Sequence, residues 1–170
     1  MGVRAVLGYI DRISELTGKA VSWLAVLVTV ALCYEVASRY LFGSPTVWAF
    51  DVSYMLGGTL FAVGIAWTLQ TGGHVRVDLI YSRFSPRQRA TLNVVLMLLL
   101  FFPLWTMLFI NSVSYVQFSW QIQERSLESF WRPPIYPFKT VMPIALFLFL
   151  IQGVAEFVRT LAYAVRGKEL

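Results

Sequence analysis

Charge is scarce in this chain. Asp, Glu, Lys and Arg make up 14% of its 170 residues, where a soluble domain carries about a quarter. Cysteine is nearly absent: Cys33 stands alone, which excludes an internal disulfide and any multi-cysteine cluster. Bulky Leu32 ahead of Cys33 also argues against a lipoprotein anchor, where a small residue is expected. His74 is the single histidine, so no haem can be held between two histidines of this chain. No metal-ligand cluster, Gly-rich phosphate loop or nucleophile motif occurs. GTLFAVG at 58–64 is a pair of small-residue positions in an apolar helix, and His74 reads as an interface residue. No enzyme activity and no cofactor are expected. The net charge of +5 is not gathered into a basic run with interleaved aromatics, so nucleic acid is excluded as a partner.

Apolar runs are plentiful. Hydrophobic residues reach 58%, and Val52 to Gly73, Ala90 to Gln123 and Thr140 to Ala155 hold no Asp, Glu, Lys or Arg. A further such run, Ala20 to Tyr34, continues past Glu35 to Ser38. A helix crosses about 30 Å of hydrocarbon with roughly 20 apolar residues. The expectation is an all-α integral membrane protein with four transmembrane helices, at about 20–40, 49–71, 91–118 and 138–162. The later part of the third (Asn111, Ser112, Ser114, Gln117, Ser119) turns polar and is expected to project or tilt. With no repeat, linker or low-complexity tract, residues 1–170 form a single membrane domain. The first span is read as retained, because residues 3–19 are long for the leading region of a signal peptide and no small-x-small cleavage site is well placed.

Lys and Arg give the expected orientation. Ten of the fourteen lie in the N-terminal segment, the 72–90 loop and the C-terminal end, while Arg39, Arg125, Arg132 and Lys139 lie in the other two connections. Positive charge collects on the cytoplasmic side. Both termini and the 72–90 loop are therefore expected there, with 41–48 and 119–137 outside.

Local patterns add detail. Residues 3–19 and 74–84 alternate apolar and charged faces and are expected to lie in the interface, the second as a cytoplasmic segment carrying His74, Arg76 and Asp78. Ser85, Pro86 and Gln88 form a helix-start signature. Gly58, Ala62 and Ala66 repeat every four residues beside Gly57 and Gly64, a small-residue stripe that lets helices approach closely in lipid. Trp48, Trp67, Trp120 and Trp131 fall near predicted boundaries, as interfacial anchors do. The 121–139 loop sets Glu124, Arg125, Glu128, Arg132 and Lys139 among Phe130, Trp131 and Tyr136, with Pro133, Pro134 and Pro137 restricting its backbone. Such a loop suits either docking a partner or capping the bundle.

The few charges near the spans stay at their ends. Glu35 precedes Arg39 by four residues, the favourable order for a helical pair. Asp51 falls in the first turn of the second span, where the helix dipole attracts a carboxylate. Glu156 precedes Arg159 by three. A transport path built from one chain would instead place ionisable or broken-helix elements near the midplane.

EVASRYLFG followed by WAFD at the start of the second span, GHVRVDL after it, and Pro134, Pro137 to Lys139, Pro143 and Gln152 leading through the fourth resemble the small membrane subunit of TRAP (tripartite ATP-independent periplasmic) transporters. The resemblance runs in order from about Leu16 to Leu161. Two features depart from it: Asp51 stands where Glu is commoner, and the 121–139 loop is fuller than in minimal members, as in the branch linked to mannitol, chloroaromatic or keto-acid uptake. The resemblance implies a bacterial inner-membrane scaffold beside a large subunit that holds the sodium and substrate sites. It also implies a periplasmic solute receptor, an organic acid or related solute, lipid contacts and no use of ATP. On this reading Glu35, Arg39, Trp48 and Asp51 form an outer-rim lock between the first two spans. The Gly/Ala stripe and the 74–84 segment support the large subunit, and Glu124, Arg125, Glu128, Arg132 and Lys139 present a receptor-docking face. Two other classes fit the composition. One is a small proton-coupled multidrug exporter using Glu35, which the end position of Glu35 disfavours. The other is the membrane anchor of a redox enzyme, which needs ligands from another chain.

Overall fold

The computed structural model describes residues 2–73 and 84–167. Four stretches are helical and apolar enough to cross a bilayer, and no strand occurs among the described residues. The expected segment 74–84, with His74, Arg76 and Asp78, lies outside the described residues except for its last position.

Helix α1 runs from Val3 to Leu41 without a break. Residues 3–19, expected to lie in the interface apart from the first span, are instead its direct continuation. At 1.5 Å per residue these 39 residues reach about 58 Å, nearly twice the hydrocarbon thickness. Asp11 and Ser14 make the physical difference, because both find polar partners on the last helix and so draw this half against the bundle. Gly43 stops α1: its φ of +63° turns the chain out of the helix and the Ser44 amide closes back on the Ser38 carbonyl at 3.1 Å. Helix α2, Ala49–Gln70, is the natural ruler: its 22 residues span about 33 Å. It ends at Gly72, whose φ of +67° suits a residue without a Cβ.

Ser85 starts helix α3 (Pro86–Leu96) as its sequence foretells. Its hydroxyl accepts from the Gln88 amide at 3.4 Å and the Gln88 side chain accepts from the Ser85 amide at 2.9 Å. The helix then widens to a π turn over Met97–Phe101 before α4, Phe102–Gln121. Pro103 supplies the reason. It has no amide to donate and its ring would meet the carbonyl four residues back, so the backbone opens and the Phe102 amide bonds Met97 five residues away. A four-residue helix α5, Tyr136–Lys139, leads into α6, Val141–Arg166.

Helix α6 touches each of the other long helices, and its inner face is Ala145, Leu146, Phe149, Gln152 and Ala155, spaced as a helical stripe. Pairwise contacts set the levels. Phe138 meets Gly58, Trp67 meets Gly18, Ser14 bonds Gln152, and Phe101 packs on Gly153. Gln152 therefore lies at the level of the far end of α2. Beyond it the start of α1, the start of α3 and the end of α6 extend together as a projection of the bundle.

Candidate functional site

The end of the bundle nearest Asp51 concentrates the sequence-derived candidates, and burial organises them into three polar clasps. Glu35, on the last turns of α1, is buried and accepts from Arg39 at 3.0 Å (Nε) and 2.5 Å (Nη2). Its other oxygen accepts from the Thr46 amide at 2.9 Å and from the Thr46 hydroxyl. The Ser38 hydroxyl donates to the Ser44 carbonyl at 2.5 Å, and Tyr34 stacks on Trp48 with ring centroids 5.7 Å apart. Glu35, Arg39 and Trp48 thus hold the 42–48 connection against α1.

Asp51 does not join them. It is 2% exposed and accepts from Ser126 at 2.9 Å and from Ser129 through its other oxygen. The expected four-residue lock is therefore corrected to two clasps: Asp51 ties α2 to the 122–135 connection and leaves Arg39 to Glu35. The reason is supply of donors, since the helix start and two serine hydroxyls satisfy the carboxylate.

Glu124 and Lys139 make the third clasp. Their ion pair is 2.5 Å long, Ser119 donates to Glu124 at 2.7 Å, and Lys139 donates to the Tyr115 hydroxyl at 2.6 Å with its ammonium 4.3 Å from that ring's centroid. The Lys139 ammonium, followed by the Ser119 hydroxyl, holds the Glu124 carboxyl below its ordinary value of 4.5. Main-chain bonds from Ser126 to Pro133 (2.9 Å) and from Ile135 to Glu124 (3.0 Å) pin the loop, with Gln123 and Arg132 at positive φ. Of the five residues expected on a docking face, Glu124 and Lys139 are partly buried and turned to each other, while Arg125, Glu128 and Arg132 are exposed. Phe130 at the loop tip is 99% exposed.

The small-residue stripe also divides. A Cβ on Gly58 would lie 2.8 Å from the Phe138 ring, and Ala66 is fully buried. Gly57 and Gly64 have no neighbour within 4 Å of a Cβ position, so within this chain they take no part in close approach. Ala62 lines a groove of about 620 Å³ between α2, α5 and the 122–135 connection.

One polar cluster escapes sequence reading. At the level where α2 ends, Gln152 is fully buried, accepts from Ser14 at 2.8 Å and donates to Asp11 at 3.1 Å; Arg159 donates to the other Asp11 oxygen. Arg159 also stands 4.0 Å from Glu156, so the expected i, i+3 pair is the weaker of its two. Trp67, expected as an interfacial anchor, packs on Gly18. Their partners are far apart in sequence, and only the polar Gln152 within an apolar run hints at the cluster.

Four helices long and apolar enough to cross a bilayer define a multi-pass membrane protein, and no group of metal-binding side chains occurs among the described residues. Residues 28–162 match the model of a family described as "Tripartite ATP-independent periplasmic transporters, DctQ component". The chain belongs to that family, the small permease component of TRAP transporters, which associates with the other components of those assemblies. A comparison with curated proteins found no match.

Proposed function

We propose that this chain is the static scaffold of a sodium-coupled uptake system in a bacterial inner membrane. It braces a large membrane subunit that carries sodium and substrate, and it offers part of the docking face for a periplasmic receptor of an organic acid or related solute. Both termini face the cytoplasm in this reading, and the Asp51 end faces the periplasm. ATP is not used. The observation that carries it is the uncharged stretch in every span: no Asp, Glu, Lys or Arg occurs at 20–34 of α1, 52–70 of α2, 90–121 of α3 and α4, or 140–155 leading through α6. A proton or sodium path would place such groups there. The pinned 122–135 connection, with Arg132 exposed at its turn, supports the docking role.

The test is reconstitution in vesicles. The chain alone should neither dissipate nor build a solute gradient, and uptake should require the large subunit and the receptor. Accumulation by the chain alone would overturn the reading. Arg132→Glu should weaken receptor-dependent uptake while assembly with the large subunit persists; an unchanged receptor affinity would remove the docking role.

A further inference from the structure

The groove beside Asp51 has two chemically different parts. Its lower walls are Tyr54, Gly58 and Ala62 of α2 facing Phe138 and Met142. From Asp51 to Ala62 is eleven residues along α2, about 16 Å, which is half the hydrocarbon thickness and so the depth of one leaflet. Tyr54 and Met142 are exposed, so the trough opens sideways to lipid. Its mouth is charged, but part of that charge is not on offer: Asp51 is buried with both oxygens taken by Ser126 and Ser129, and Glu124 is paired with Lys139. Two charges at the mouth remain. Arg125 donates only a 3.5 Å bond to the Arg132 carbonyl, and among the described residues neither Arg125 nor Glu128 has an ion-pair partner.

A mouth that exposes one unpaired cation and one unpaired anion above an apolar trough is complementary to a zwitterionic amphiphile. A guanidinium fork suits phosphate, and a carboxylate suits a primary ammonium with N–H donors. We propose that this groove binds one phosphatidylethanolamine molecule, an acyl chain lying against Gly58 and Ala62 and the headgroup bridging Arg125 and Glu128. An anionic headgroup would leave Glu128 unmatched and repelled. A choline headgroup carries the same charges but has no N–H to give Glu128. The site goes beyond the scaffold reading and uses residues distinct from Arg132.

The experiment embeds the full chain in nanodiscs of equal parts phosphatidylethanolamine, phosphatidylglycerol and phosphatidylcholine, extracts it, and counts retained lipids by native mass spectrometry. One phosphatidylethanolamine should be retained in preference to the other two. Arg125→Ala and Glu128→Ala, both at exposed positions, should each lower its retention about tenfold, the loss of one charge-assisted contact, at unchanged melting temperature. Ala62→Phe, which fills the trough, should abolish retention, and the two surface variants decide the matter if that variant does not fold. Equal retention of phosphatidylglycerol, or unchanged retention in both surface variants, would overturn the proposal. So would loss of the lipid when the large membrane subunit is co-purified, which would give the trough to a helix of that subunit. If the Arg125 and Glu128 variants weaken receptor binding but leave lipid retention intact, the lipid site falls while the scaffold reading stands.

Discussion

Asp51 and Arg39 were expected to act together, but their environments separate them energetically. Asp51 is 2% exposed and takes two serine hydroxyls, whereas the Arg39 side chain is 55% exposed. Asp51→Ala leaves the buried Ser126 hydroxyl without its acceptor, a loss of about 2–3 kcal/mol for hydrogen bonds to a charged group. Arg39→Ala removes a largely solvated partner and should cost no more than about 1 kcal/mol. Unfolding of both variants in one detergent checks this; equal losses would restore the single lock. Glu124 carries a pH dependence. Its folded pKa lies below 4.5, so its stabilising contribution is complete above that value and is lost as pH falls through the lowered one. The stability difference between wild type and Glu124→Gln, measured across acid pH, should therefore hold above about pH 4.5 and shrink below it. The Glu35–Arg39 pair was legible from four-residue spacing, because a helix sets that contact by itself. Asp51 and Ser126 are 75 residues apart, and no local rule joins them.

At the scale of elements, the π turn shows a local cause with a distant effect. Pro103 forces the wider turn, and the same segment delivers the Phe101 ring onto Gly153 of α6, with Phe149 at 5.1 Å and Trp105 at 6.3 Å between centroids. A Cβ on Gly153 would stand 2.3 Å from that ring, so something must shift. Gly153→Ala should destabilise by about 1–3 kcal/mol through overpacking. The combination with Phe101→Leu should be far from additive, because the smaller side chain relieves the collision. Additive losses in a double-mutant cycle would show that the two helices do not meet there. The Ser85 cap needed only four consecutive residues to be recognised. A proline inside an apolar run announces a disturbance, but whether it bends the helix or widens it depends on what the opposite helix can accept.

For the whole molecule, the length of α1 beyond the bilayer is the main departure from expectation. Asp11 holds that projection to α6 through Arg159 and the buried Gln152. Asp11→Ala leaves the Gln152 amide unsatisfied and should release the start of α1, raising amide exchange over residues 3–17 at least about tenfold, or about 1.4 kcal/mol of local opening. Exchange confined to global unfolding would contradict the clamp. Four spans, one helix start and the restriction of charge to the bundle's ends were determined by the chain's own order of residues. Lipid cannot solvate a bare charge or an open backbone, so hydrophobic length and spacing suffice to specify them. Which polar groups meet across different elements was decided only by tertiary packing. Asp51 with Ser126, Asp11 with Arg159, Gly18 under Trp67 and Gly153 under Phe101 depend on how far each helix slides along its neighbour. That register is a compromise among many side chains at once, and no segment carries it alone.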